Sequence, residues 1–206
     1  MDPEETAWVA SFISVVKGKT DMVVSNAIQW LKSNRHDNGG WGKHSRDRAR
    51  IPTTSLVLAL VPEAGVDEDY KWLTQEWTND LSESVQLSYK AGFYLLVAGH
   101  PLFKGKLDLI DRTITHLVKD QNDDGGFGPW RNHPIGSDPW STGVVLWGLS
   151  KWIDRFDSAV IERALQWLQA TQLPSGYWPY HYLDEGTSYA LIGAVSAMRA
   201  MASRDK

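Results

Sequence analysis

The chain has no cysteine, so disulfides, thiolate metal centres and cysteine nucleophiles are all excluded. It has no excess of basic charge: 21 Lys and Arg stand against 25 Asp and Glu, a formal net charge of −4. A general nucleic-acid binder needs a basic surface, and none is expected here. No apolar run reaches membrane-spanning length, and the run Leu56 to Val61 is broken by Pro62. The acidic start Met1-Asp2-Pro3-Glu4-Glu5 is followed by no signal-type apolar core, so a cytoplasmic location is the expectation. No stretch alternates with a period of two for long enough to suggest a sheet. His-Glu-x-x-His, Gly-x-Ser-x-Gly, phosphate-loop and dinucleotide fingerprints are also missing. No metal site and no cofactor are therefore expected.

What is present is repetition, and eleven tryptophans mark it. The stretch Gln121-Asn122-Asp123-Asp124-Gly125-Gly126-Phe127-Gly128 is echoed by Asp37-Asn38-Gly39-Gly40-Trp41-Gly42 and by Gln172-Leu173-Pro174-Ser175-Gly176-Tyr177-Trp178. Each echo follows an apolar helical pattern and precedes another, opened by Thr53-Thr54, Ser141-Thr142 or Thr187-Ser188. Helix, Gly-aromatic turn and helix at a period of roughly 40–50 residues is the signature of a repeat architecture. Trp30 to Trp72 spans 42 positions, which places a degenerate second copy at residues 67–99 with its Gly-aromatic turn missing.

The spacing predicts one domain over residues 1–206. It has a leading helix at about 4–17 and four hairpin units at about 21–62, 67–99, 106–154 and 157–203. Asp21, Asp138 and Asp157 are read as helix caps, with Pro139 at the first helical position. A helix is expected over 82–98 before the stop Gly99-His100-Pro101, and another from Pro139 to about Ile153. Trp8, Phe12, Val15 and Val16 form the expected inner side of the leading helix, able to cover one end of the stack. The small residues of helix 186–202, Gly193 and Ala197 among them, are expected to pack on that leading helix or on another chain. In this reading Gly39, Gly40, Trp41, Gln121, Gly125, Gly126, Phe127, Gln172, Gly176 and Trp178 are structural. Glycines let the chain turn sharply after a helix, aromatics cover helix ends, and Gln bonds orphaned backbone groups.

The run Gln121-x-x-Asp124-Gly125-Gly126-Phe127-Gly128, with Trp140-Ser141-Thr142-Gly143-Val144-Val145-Leu146-Trp147-Gly148-Leu149 after it, resembles the repeat of squalene–hopene cyclases and protein prenyltransferase β-subunits. The resemblance implies an all-α fold of α-hairpins closed into an α/α toroid. Complete members close more hairpins than fit here, so a small toroid-like or open curved helical domain is expected. It also implies chemistry that this chain lacks. The class II cyclases protonate their substrate with Asp-x-Asp-Asp, and the nearest approach here, Asp67-Glu68-Asp69-Tyr70, lacks the last acid. The prenyltransferases hold zinc with an Asp, a Cys and a His, and there is no Cys.

The remaining catalytic candidates are weak: Asp67 and Asp69, which a helix start also explains, and His181 with Asp184 in a Tyr-rich loop, a pair suited to proton transfer. The most basic stretch is 43–50, where Lys43, Arg46, Arg48 and Arg50 face one Asp47. Such a cluster suits an anionic ligand or the steering of an acidic partner. Two functions follow from different classes. One is a non-catalytic binding or scaffold module for a protein partner or an apolar small molecule. The other is a terpenoid cyclase-like or other isoprenoid-processing enzyme, either a reduced cyclase or one requiring a partner chain to complete the toroid.

Overall fold

The computed structural model describes residues 2–44, 46–100 and 107–204. Ser45 in the basic loop, the stop at Pro101 and the helix start at Lys106 lie outside the described residues. Nine α-helices and two 3-10 segments make up the described chain, with no β-strand among the described residues. It divides into two compact units, residues 1–80 with 97–104 and residues 81–96 with 105–206.

The first unit holds α1 (Pro3–Lys17), α2 (Met22–Ser33), α3 (Ile51–Leu60) and α4 (Asp67–Asp80). Asp2 accepts the Glu5 amide and Asp21 the Val23 amide, so both helix starts are capped by carboxylates. The inner face of α1 differs from the expected one. Pro3, Thr6, Ala7 and Ala10 are buried, while Phe12, Val15 and Val16 are exposed. Small residues let α1 lie close to α2 and α3, its main neighbours, and the bulky side chains are left outside. Seven residues of α3, Ile51 and Thr53 to Leu58, are buried, which makes it the unit's core element.

The second unit holds α5 (Ser88–Val97, its last residue belonging to the first unit), α6 (Leu107–Asp120), α7 (Pro139–Leu149), α8 (Ala159–Thr171) and α9 (Leu183–Arg204). Helix α5 starts at Ser88, later than expected. The Gln86 amide nitrogen folds back to the Leu81 and Glu83 carbonyls, so 81–87 is a polar turn rather than helix. Helix α7 ends at Leu149 and passes into a 3-10 segment, Ser150–Arg155, broken at Trp152, whose φ is −134°. Only Trp140 of α7 is not buried, so α7 is the central rod of this unit.

Glycines set how closely that rod is approached. A β-carbon at Gly193 would lie 2.2 Å from the Gly143 carbonyl oxygen, and one at Gly143 would lie 2.2 Å from that of Tyr189. The small face of α9 therefore packs on α7, where the leading helix or another chain was the expectation.

Candidate functional site

The three Gly-aromatic turns close with the same backbone bonds. Gly39, Gly125 and Gly176 donate to the carbonyls of His36, Asn122 and Leu173, at 3.0, 2.9 and 2.8 Å. The Trp41, Phe127 and Trp178 amides donate to the hydroxyls of Thr54, Thr142 and Thr187 at 2.9, 2.9 and 3.2 Å. The two indoles reach back ten residues: Trp41 Nε1 donates to Leu31 and Trp178 Nε1 to Leu168. Gln121 and Gln172 each bond the carbonyl of their own turn glycine, and Gln121 also bonds the Val160 carbonyl on α8.

The acidic candidates separate. Asp67 is exposed at the start of α4, whereas Asp69 is fully buried. Its Oδ1 accepts the Gly40 amide at 2.8 Å and the Arg35 guanidinium at 3.1 Å, and its Oδ2 accepts the Val66 amide at 2.9 Å. Asp69 thus pins the first turn to α4, with no oxygen left facing a ligand. His181 and Asp184 share no hydrogen bond. Both are exposed, Asp184 lies in the first turn of α9, and the imidazole packs on Tyr180 and Tyr182 instead. In the basic loop Arg50 pairs with Asp47 at 2.6 Å, while Lys43, Arg46 and Arg48 are exposed.

The arrangement with chemical potential is one the sequence disclosed only in fragments. In the second unit a cavity of about 380 Å³ is bounded by Ile135, Pro139, Trp167, Pro179, Tyr180 and His181, with Asp138 in its wall. Asp138 precedes the first residue of α7. It accepts the Ser141 amide and the Ser141 hydroxyl, each at 2.7 Å. Burial pushes its carboxyl above the usual carboxylate range, and those bonds offset only part of the rise. Tyr180 is raised as well, first by burial and then by the nearby carboxylates Asp138 and Glu185. Gly186 leaves the room that the Tyr180 ring fills, since a β-carbon there would lie 2.5 Å from that of Tyr180. On the same end of α7 Trp140 packs against Tyr89 and Tyr189, at centroid separations of 5.1 and 5.6 Å. The site thus joins an apolar and aromatic wall to one buried carboxyl and one phenol, with Ser137, Thr171 and His181 at its polar edge. Asp138 was legible as a cap, and the Tyr-rich loop was legible as unusual. Nothing in the spacing joined the two.

A second cavity, about 450 Å³, runs along α6 beside Arg112, His116 and Lys119. Burial lowers the His116 pKa, and Asp120 offsets part of that effect. The folded pKa then lies below the unfolded value of about 6.5. The neutral imidazole contributes stability above that value, which is lost as pH falls through the folded pKa. Urea midpoints should therefore drop between neutral and mildly acidic pH, and His116→Gln should flatten the drop. An identical slope in the variant would locate the sensitive group elsewhere.

Comparison with known proteins agrees with the all-helical fold. The family model for the squalene-hopene cyclase C-terminal domain matches residues 5–204. A squalene–hopene cyclase from Zymomonas mobilis subsp. mobilis is 25% identical over 198 residues, covering 92% of this chain and 26% of that protein. The chain thus spans about a quarter of the length of this relative. Among solved structures, a protein from Actinoplanes superposes with a TM-score of 0.73 at 15% identity, over 98% of this chain and 76% of its own. The ent-copalyl diphosphate synthase from Streptomyces platensis superposes with a TM-score of 0.67 at 19% identity, over 98% and 43%. At these identities the two structures speak to the fold alone. No described helix is long and apolar enough to cross a membrane.

Proposed function

The chain belongs to the squalene-hopene cyclase C-terminal domain family, and from that premise we propose that it is a binding domain which holds an apolar ligand without converting it. One observation carries this reading. The apolar cavity beside α7 has a single buried carboxyl, and both oxygens of that Asp138 are already bonded to Ser141 as a helix cap. Walls of Trp167, Pro139, Pro179 and Tyr180 suit a hydrocarbon or ring system, and the phenol adds one polar handle.

A second reading, an isoprenoid cyclase, is favoured by the raised pKa of the same Asp138, because a carboxyl whose proton burial holds more tightly is a candidate general acid. One experiment separates the two. Trp fluorescence titration with squalene, farnesyl diphosphate and geranylgeranyl diphosphate reports binding, and product analysis of the same mixtures reports turnover. Saturable binding with unreacted substrate is expected. Asp138→Asn, which keeps the cap acceptor, should leave both results unchanged. Turnover that Asp138→Asn abolishes would establish the cyclase instead, and no saturable binding would remove the ligand reading.

A further inference from the structure

Two of the three Gly-aromatic turns are roofed by the first helix of the following hairpin. A β-carbon at Gly39 would lie 2.9 Å from the Glu68 carbonyl oxygen, and one at Gly125 would lie 2.8 Å from that of Arg163. Four residues further along each roofing helix a tryptophan packs on the turn: the Trp72 ring lies 3.0 Å from a β-carbon built on Gly40, and the Trp167 ring 2.8 Å from one built on Gly126. The Gln121 amide adds a bond to the roofing helix, 2.8 Å to the Val160 carbonyl.

The third turn has the same internal bonds and the same positive φ, +86° at Gly176, but no roof. A β-carbon at Gly176 would meet nothing within 4 Å, and Leu173 and Tyr177 are 41% and 47% exposed. The chain also carries a helix of the roofing kind that sits on no turn. In α2, Asn26 and Trp30 have the spacing of Glu68 with Trp72 and of Arg163 with Trp167. The next position is fully buried in the roofing helices, as Asp69 and Ala164, but only half-buried in α2, as Ala27. Beside it Met22 and Val23 are 75% and 46% exposed.

Among the described residues, then, one turn has no roofing helix and one helix of the roofing kind carries an exposed face. We propose that a second copy of this chain joins them, the turn 172–178 of one copy seating on α2 of the next. The Gln172 amide would donate to a carbonyl of α2 near Val23, the counterpart of Val160, and Leu173 and Tyr177 would cover Met22 and Val23. Tyr177 stands where Gly40 and Gly126 stand, so Trp30 would pack on its phenol face instead of against bare backbone. The contact is head-to-tail and joins two different surfaces, so it builds chains of copies or a closed ring rather than a symmetric pair.

Sedimentation of the full chain over a concentration series tests this, with concentration-dependent association expected. Leu173→Asp and Val23→Asp change exposed positions, so melting midpoints should hold while each variant alone associates about tenfold or more weakly, a loss of about 1.4 kcal/mol or more. Mixed together, the two blocked variants should restore a one-to-one pair, because each retains the surface the other has lost. The absence of native cysteine makes cross-linking clean. Asn26→Cys and Ser175→Cys chains should form a disulfide with each other and not with themselves. A monomer at every concentration, association unchanged in both Asp variants, or a double-Cys chain that closes on itself would each overturn the proposal.

Discussion

Trp41→Ala is expected to lower unfolding free energy by about 3–5 kcal/mol, the range for truncating a buried aromatic. The side chain is fully buried, and its Nε1 donates to the Leu31 carbonyl at 2.8 Å. Truncation opens a cavity and also removes the indole bond to the Leu31 carbonyl, which is left with the Asn34 amide at 3.2 Å. Phe127→Ala should cost a similar amount, because Phe127 is equally buried and its amide is held by Thr142 in the same way. Trp178→Ala should cost less. That indole keeps the matching bond to Leu168, but it is 7% exposed and belongs to the unroofed turn. Denaturant titration of the three variants gives the order. Losses below about 1 kcal/mol at both Trp41 and Phe127 would show that the repeat aromatics are not core braces.

Those turns were readable in the sequence because their requirements are local. A glycine after a helical pattern, paired with a second in two of the copies, then an aromatic and a Thr in the following helix specify one turn, and the structure builds it three times. The caps at Asp21 and Asp138 were readable for the same reason. What depended on packing was not. The bulky residues of α1 looked like its core face, yet Ala7 and Ala10 take that role because close approach favours small side chains. The small residues of α9 were recognised as a contact face, but their partner, Gly143, lies fifty positions away in sequence. The candidate site was hidden more deeply. Its walls come from 135–139, from Trp167 and Thr171 on α8, and from 179–181. The nearby pairing that sequence suggested, His181 with Asp184, falls apart because α9 begins at Leu183 and takes Asp184 into its first turn.

Gly193→Ala should be among the most damaging single-methyl changes in the second unit, and Gly193→Val more so. In a solvent-exposed helix the alanine would add about 1 kcal/mol of stability through propensity alone. Here its β-carbon would lie 2.2 Å from the Gly143 oxygen and 2.7 Å from the Gly143 Cα. Both obstacles are backbone, so no rotamer change relieves the clash, and α9 must move away from the central rod. Overpacking of this kind costs about 1–3 kcal/mol and occasionally more, so the net effect is a loss despite the better helix former. Gly143→Ala approaches the same contact from the other side and should behave alike, since its β-carbon would meet the Tyr189 carbonyl carbon and oxygen at 2.3 and 2.2 Å. Met198→Ala, on the exposed side of α9, is the matched control and should be close to neutral. The displacement should also reach the candidate site, because α7 starts next to Asp138 and the first turn of α9 holds Tyr180 through Gly186. Gly193→Ala is therefore expected to weaken apolar-ligand binding together with stability, measured by fluorescence titration and thermal melting on the same sample. A melting point raised by Gly193→Ala would mean that backbone contact between α7 and α9 does not set their spacing.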